Sequence, residues 1–311
     1  MNETATANKI HYNNCPVCGS ASIMQVLEAR DYTVSQERFV IWECAECKLR
    51  FTQDVPSIND IGAYYQSENY ISHSNTSKGI VNALYHRVRK ITLRSKQKLI
   101  TKITGKPHGT LLDVGAGTGA FAAFMIQEGW QVTALEPDLN TIEKAKQLHN
   151  ITLLPSSELF TLPPAQFDVI TLWHVLEHVH DLHGYLRKFH ELLKPDGMLV
   201  IAVPNYTSGD ASNYKESWAA YDVPRHLYHF APPSITRLLE KHGFIHQQSL
   251  PMWFDSFYVS LLSEKYKTGT QNLLSAFVKG IASNLSAVKD NSKASSLIYI
   301  AQKTDVTSSR N

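Results

Sequence analysis

Beyond residue 109 the chain alternates short apolar runs with amphipathic stretches. Thr110 to Val114, Gln131 to Leu135, Ile151 to Leu154, Asp168 to Trp173 and Met198 to Val203 are compact hydrophobic runs that predict buried strands. Segments 120–129, 138–148 and 182–193, between them, carry apolar positions at helical spacing. Such strand–helix–strand alternation predicts an α/β fold with a doubly wound, mostly parallel sheet, because each crossover helix packs back onto a sheet face. Pro195-Asp196-Gly197 supplies the turn into the fifth strand. Pro233 to His242 then predicts a helix closed by Gly243, Phe244 to Leu250 a sixth strand, and Leu297 to Gln302 a seventh.

The last two strands are separated by an insertion over residues 252–296. In it Leu274, Phe277, Val278, Ile281, Leu285 and Val288 recur at helical spacing, which predicts a helix packed on the domain, with a membrane-surface helix as the rival reading. Upstream, Leu84, Val88, Ile91, Leu99 and Ile103 place an amphipathic helix over Leu84 to Thr104. Residues 1–10 and 304–311 read as polar tails and 56–79 as a linker rich in Tyr, Ser and Asn. Residues 11–55 read as a small ribbon-like module whose Glu37 to Glu43 segment is a strand.

A chain of 311 residues with 43% hydrophobic composition can bury one large core and a smaller one, in keeping with a main domain from 80 to 303 and an appendage. The net charge of +2 is unremarkable, but Lys78 to Leu112 holds nine Lys or Arg residues and no acid. That stretch is either a solvated helix face or a surface for phosphates, nucleic acid or an anionic membrane. No apolar run approaches the length of a membrane span, and Met1 to Lys9 lacks a signal-peptide core, so a cytoplasmic location is expected. Oligomeric state leaves no sequence signal.

All four cysteines precede residue 50, as Cys15-Pro-Val-Cys18 and Cys44-Ala-Glu-Cys47. Two such knuckles supply four thiolates to one tetrahedral ion, so Cys15, Cys18, Cys44 and Cys47 are expected to bind a structural zinc. A shell closed by four cysteines has no position for substrate water. It also leaves no cysteine for nucleophilic catalysis.

The strongest chemical signal is Leu111-Leu-Asp-Val-Gly-Ala-Gly-Thr-Gly-Ala-Phe121. Glycines at 115, 117 and 119 permit a tight turn and close backbone approach at the strand's carboxyl end. Their G-x-G-x-G spacing is one residue tighter than the dinucleotide pattern, and Asp113 suits a cationic amino-acid moiety better than a pyrophosphate. Glu136 ends the second strand, where a carboxylate can accept from two ribose hydroxyls.

With LLDVGAGTGAF, ALEPD, FDVITLWHVLEHV and LKPDGMLVIAVPN in this order, residues 80 to 303 resemble class I S-adenosylmethionine (SAM) dependent methyltransferases. The resemblance implies a Rossmann-like seven-stranded sheet with SAM as cofactor. It places the amino-acid end of SAM on Asp113, Gly115, Ala116, Gly117 and Gly119, the ribose on Glu136 beside Pro137, the adenine near Ser157 and Glu158, and the reactive methyl before Trp173 and His174. N-terminal cysteine modules of this type occur in bacterial methyltransferases of sugar and cell-surface metabolite pathways.

Two further clusters carry titratable groups. His174, Glu177 and His178 fall at i, i+3 and i+4 and match an inverted zinc-peptidase motif, which the surrounding methyltransferase pattern contradicts. The segment resembles ubiquinone-pathway O-methyltransferases and small-RNA 2′-O-methyltransferases, in which acidic and His groups can hold a divalent metal. Here His174 replaces the first acid, which argues against a catalytic metal; a general base from this cluster or from His226, or a structural role, stays open. Tyr221-Asp-Val-Pro-Arg225-His226 lies on a predicted loop over the same sheet edge, so Tyr221, Arg225 and His226 are candidate substrate contacts.

The function expected is methyl transfer to oxygen or carbon of a small molecule, such as a sugar nucleotide, cell-surface polysaccharide or lipid-linked intermediate, whose phosphate the basic helix would attract. An RNA methyltransferase using ribbon and basic helix is the first alternative, and a non-enzymatic SAM-binding protein the second. No Asn-Pro-Pro-Tyr segment follows the fourth strand, which argues against amines of DNA bases.

Overall fold

The computed structural model describes residues 8–66, 80–270 and 290–304, together with Lys279, Gly280, Asn284, Ala287 and Val288; side chains of 80–87 fall outside the description. A central sheet is built from β6 (Thr110–Val114), β7 (Gln131–Glu136), β8 (Leu154–Pro155), β9 (Phe167–Trp173), β10 (Leu193–Pro204), β12 (Phe244–Pro251) and β13 (Ser296–Lys303), in the order β12-β13-β10-β9-β6-β7-β8. β13 runs antiparallel to both neighbours, and the ladders from β10 to β8 are parallel. Helices α1 (Ile80–Thr104), α2 (Ala120–Gln127), α3 (Leu139–His149), α4 (Leu182–Leu192) and α6 (Pro232–Lys241) cover the sheet. α5 (Gly209–Tyr214) follows β10, and α7 (Asp255–Thr268) occupies the start of the insertion.

The strand expectations are met with local differences. The third strand is shorter and later than Ile151 to Leu154: only Leu154 and Pro155 pair, with Leu135 and Glu136. Pro155 has no N–H to extend that ladder, and Ile151 instead packs against the Gly119 backbone. Pro195-Asp196-Gly197 lies inside β10, whose pairing with β9 jumps register between Leu193 and Met198. Of the apolar series in the insertion, Leu274, Phe277, Val278, Ile281 and Leu285 lie outside the described residues, and Val288 is 68% exposed.

The cysteine module contains β1 (Lys9–Ile10), β2 (Ile23–Arg30), β3 (Arg38–Cys44), β4 (Arg50–Thr52) and β5 (Val55–Pro56). Its sheet continues into the main domain, because β11 (Tyr228–His229) adds to β4 with Tyr228 opposite Phe51 and His229 opposite Arg50. Cys15, Val17, Leu49, Phe51 and Val55 share one buried cluster with Leu172, Leu176, Tyr228 and Phe230. The module therefore joins the central sheet's core and forms part of its carboxyl-end wall. Among the described residues no helix is long and apolar enough to cross a membrane.

Candidate active site

All three loop glycines have positive φ, at 69°, 55° and 75°. A Cβ on Gly115 would run into Val175, and one on Gly119 would approach Ile151 to 2.7 Å, so both are packed against the loop's own surroundings. A Cβ on Gly117 would meet nothing within 4 Å, because this residue faces a cavity of about 430 Å³. Ala116, Asp113, Phe121 and Trp173 line the same space.

Two carboxylates frame the loop. Asp113 is buried and accepts from the Thr171 hydroxyl at 2.8 Å, while burial pushes its carboxyl up to about 7. Glu136 accepts from the Gly117 N–H at 2.8 Å and the Asp138 N–H at 3.3 Å, and burial raises its carboxyl above the ordinary range. Pro137 is exposed beside it. Ser157 and Glu158 are exposed on the short 3-10 turn Ser156–Phe160, outside the cavity-lining residues.

The segment after β9 is a 3-10 turn, Leu176–His178, and His174 has φ of 59°, so the i, i+3, i+4 spacing of His174, Glu177 and His178 does not make an α-helical face. His174 lies between two carboxylates. Its Nδ1 lies 3.3 Å from Glu177 Oε1 and its Nε2 2.7 Å from Asp255 Oδ2 on α7. Burial alone would push this imidazole down, but the two carboxylates outweigh it and lift the ring to about 10. A ring that already holds its proton cannot accept another, which corrects the expectation of His174 as a base.

His178 and His226 meet ring edge to face with centroids 4.6 Å apart. Nδ1 of His178 lies 3.0 Å from the Arg225 carbonyl, and Nδ1 of His226 lies 2.8 Å from the Ala220 carbonyl. A carbonyl only accepts, so His226 Nδ1 donates to Ala220; His178 Nδ1 has two partners at 3.0 Å, the Arg225 carbonyl, to which it can only donate, and the Tyr65 hydroxyl, from which it can accept. Burial, reinforced by His226, pushes His178 down to about 4. Glu177 is 0% exposed, and its Oε2 has no partner among the described residues. Glu177, His178 and His226 each present a donor atom within 4.8 Å of the others, a set that could hold a divalent ion without His174.

Arg225 is 0% exposed. Its Nε and Nη2 donate to Asp222 at 3.0 and 2.7 Å, Nη2 to Asp31 of the module at 2.9 Å, and Nη1 to the Tyr64 carbonyl at 2.8 Å. The Tyr221 hydroxyl accepts from Arg50 of β4 at 2.9 Å. The expected substrate contacts by Arg225 and Tyr221 are thus corrected: both side chains are buried and bonded to other protein groups, among them Asp31 and Arg50 of the module. His226, packed on His178, is the member of that motif still beside the titratable cluster.

In the module, Cys15 and Cys47 sulfurs are 3.5 Å apart and those of Cys18 and Cys44 3.6 Å. Zinc–sulfur bonds of about 2.3 Å imply tetrahedral edges of about 3.8 Å, so these thiols fit one ion. Each knuckle turns through a positive-φ residue, Gly19 or Lys48, whose N–H returns to the carbonyl of Cys15 or Cys44.

Lys96, Arg89 and Asp255 also line the cavity, and no motif pointed to them. The cations belong to a helix read as a basic face, where spacing alone could have separated inward Lys96 from outward Lys90, Arg94 and Lys98. Asp255 offers no such signal, since only the antiparallel return of β12 and β13 brings α7 to the β9 terminus.

A glycine loop at the end of β6, an acidic end to the neighbouring β7 and this strand order together specify one kind of domain. Residues 85–248 match the methyltransferase domain family. The chain belongs to the class I SAM-dependent methyltransferases. Malonyl-[acyl-carrier protein] O-methyltransferase of Salmonella typhimurium is 25% identical over 185 residues, covering 58% of this chain and 73% of that protein. Ubiquinone biosynthesis O-methyltransferase of Pseudomonas paraeruginosa is 32% identical over 114 residues, 34% of this chain and 49% of the relative. A putative sarcosine dimethylglycine methyltransferase from Galdieria sulphuraria shares the fold, with TM-score 0.50 and 17% identity over 70% of this chain and 88% of that one. The chain spans about half the length of several curated relatives, and the methyltransferase match ends before the insertion and β13.

Proposed function

We propose that this methyltransferase moves the methyl group of SAM onto a small-molecule acceptor, at oxygen in preference to carbon. The cavity beside Gly117 carries the cofactor reading, since its floor is glycine backbone and its polar walls include buried Asp113. Both relatives described above are named as O-methyltransferases, which favours oxygen. The cofactor's amino-acid end would take the Asp113 to Gly119 loop, and its ribose would replace the Gly117 N–H on Glu136. A sulfonium-bound methyl is already activated, so transfer needs in-line alignment and, for a hydroxyl acceptor, a group to receive the proton. The His178 imidazole, which burial holds well below its ordinary pKa, is the group assigned to receive it, with His226 beside it.

The four cysteines take a structural zinc in this reading. The module's knuckle backbone faces the catalytic domain, with the Pro16 carbonyl 2.9 Å from His183 and the Val17 carbonyl accepting from Lys241. That use of the ribbon favours a small acceptor over RNA, and a phosphate-bearing one would suit the acid-free α1.

Calorimetry with S-adenosylhomocysteine tests the cofactor site: Gly117→Arg fills the cavity and should abolish binding, and unchanged affinity would sink the assignment. Transfer of labelled methyl from SAM into cell extract, with mass spectrometry of the product, identifies the acceptor; no labelled product from any fraction would favour a non-enzymatic role. RNA binding that falls steeply with salt would favour the RNA alternative. If His178→Ala and His226→Ala both leave turnover intact, the base placement is wrong. Turnover lost on chelation and restored by a divalent ion, with the cysteine zinc retained, would convert the pair into metal ligands.

A further inference from the structure

The cavity beside the glycine loop contains a cation of the protein's own. Lys96 reaches inward from α1 until its Nζ lies 3.9 Å from the centre of the Trp173 ring and 5.6 Å from that of Phe121. Asp113 and Asp255 attract the same ammonium. Aromatic faces backed by carboxylates form a general receptor for a soft, weakly hydrated cation. SAM carries such a cation on sulfur, and Trp173 stands at the end of the strand where its methyl group is expected. Two positive charges crowded against one pair of aromatic faces repel.

We propose, on the reading that SAM binds here, that Lys96 is a tethered occupant of the sulfonium subsite that yields it by releasing its proton to solvent and regains it after transfer. Transfer breaks the sulfur–methyl bond, forms the acceptor–methyl bond and leaves sulfur as a neutral thioether, the acceptor's proton passing to a base. A reprotonated Lys96 then shares the cage with S-adenosylhomocysteine without repulsion. Lys96 thereby sets the balance between cofactor and spent product. Burial pushes this ammonium down to about 8, against the pull of Asp113 and Asp255.

Among the described residues, the groups facing Lys96 are Asp113 of β6, Asp255 of α7 with its partner His174 after β9, and Arg89 on α1 itself, with Glu136 of β7 beside Asp113. Asp113, raised to about 7, titrates in a neighbouring range, so a lysine variant is needed to isolate the Lys96 contribution. A competent fraction set by a group titrating at about 8 grows about tenfold between about pH 7 and about pH 9.

Calorimetry on the full chain with SAM and S-adenosylhomocysteine across that range is the test. The affinity ratio of SAM to S-adenosylhomocysteine should rise about tenfold in the parent protein. In Lys96→Met it should already be high at neutral pH and much flatter, with S-adenosylhomocysteine affinity little changed. Lys96→Arg, which stays charged, should hold the ratio near its neutral-pH value throughout. Equal weakening of both ligands by Lys96→Met would overturn the proposal, because Lys96 would then grip a part they share. So would a parent ratio that ignores pH. If the parent binds neither ligand, the cofactor assignment itself has failed, an outcome distinct from either of these.

Discussion

The side chain that best separates motif from role is Arg225. A guanidinium in a loop dense in titratable groups reads as a ligand for an anionic substrate, yet its donors are directed to Asp222, Asp31 and the Tyr64 carbonyl. Removing one member of a buried ion pair strands the others, at a cost of about 3–5 kcal/mol. Arg225→Met should therefore lower unfolding free energy by about that amount in urea titrations, and a loss under about 1 kcal/mol would show the clasp to be dispensable. Gly119→Ala should cost about 1–3 kcal/mol, combining a backbone held at φ 75° with a methyl pressed toward Ile151. Denaturant midpoints measure this too, and a neutral result would mean that the loop relaxes.

At the level of elements, the decisive pairing is β4 with β11. Three strands near four cysteines would form a marginal unit alone, whereas the fourth strand ties them to the loop carrying His226. The Thr52 hydroxyl donates to the His226 carbonyl at 2.8 Å, and the Tyr206 hydroxyl to the Lys48 carbonyl at 2.6 Å inside the second knuckle. Metal binding in small modules is coupled to their folding. Metal analysis should accordingly find one zinc per chain, lost on Cys15→Ser with Cys18→Ser. That loss should speed amide exchange in β4 and also in β11 and residues 218–231; exchange confined to the module would refute the coupling.

For the whole molecule, several buried histidines stay neutral. Burial, with the His183 charge beside it, pushes His242 down to about 4, and burial drives His229 well below the usual imidazole range. An unfolded chain releases these rings to titrate near pH 6.5, so it binds more protons than the folded one between that value and about pH 4. Stability is fully present above the unfolded value and falls as pH drops through this window. Urea midpoints should decline there, and His242→Gln should shallow the decline; an unaltered slope would assign it to other groups.

Local chemistry was legible in the sequence because it depends on neighbours along the chain. Apolar runs specified most strands of the central sheet, glycine spacing the loop, and paired cysteines the knuckles, each within a dozen residues. What remained hidden depends on contacts that a return of the sheet creates. Asp31 meets Arg225 across 194 positions, and α7 brings Asp255 to His174 only after β12 and β13 have closed the sheet. Motif density therefore pointed to the candidate edge of the sheet, but burial and competing partners decided which of its charged groups are bonded within the fold and which face the cavity.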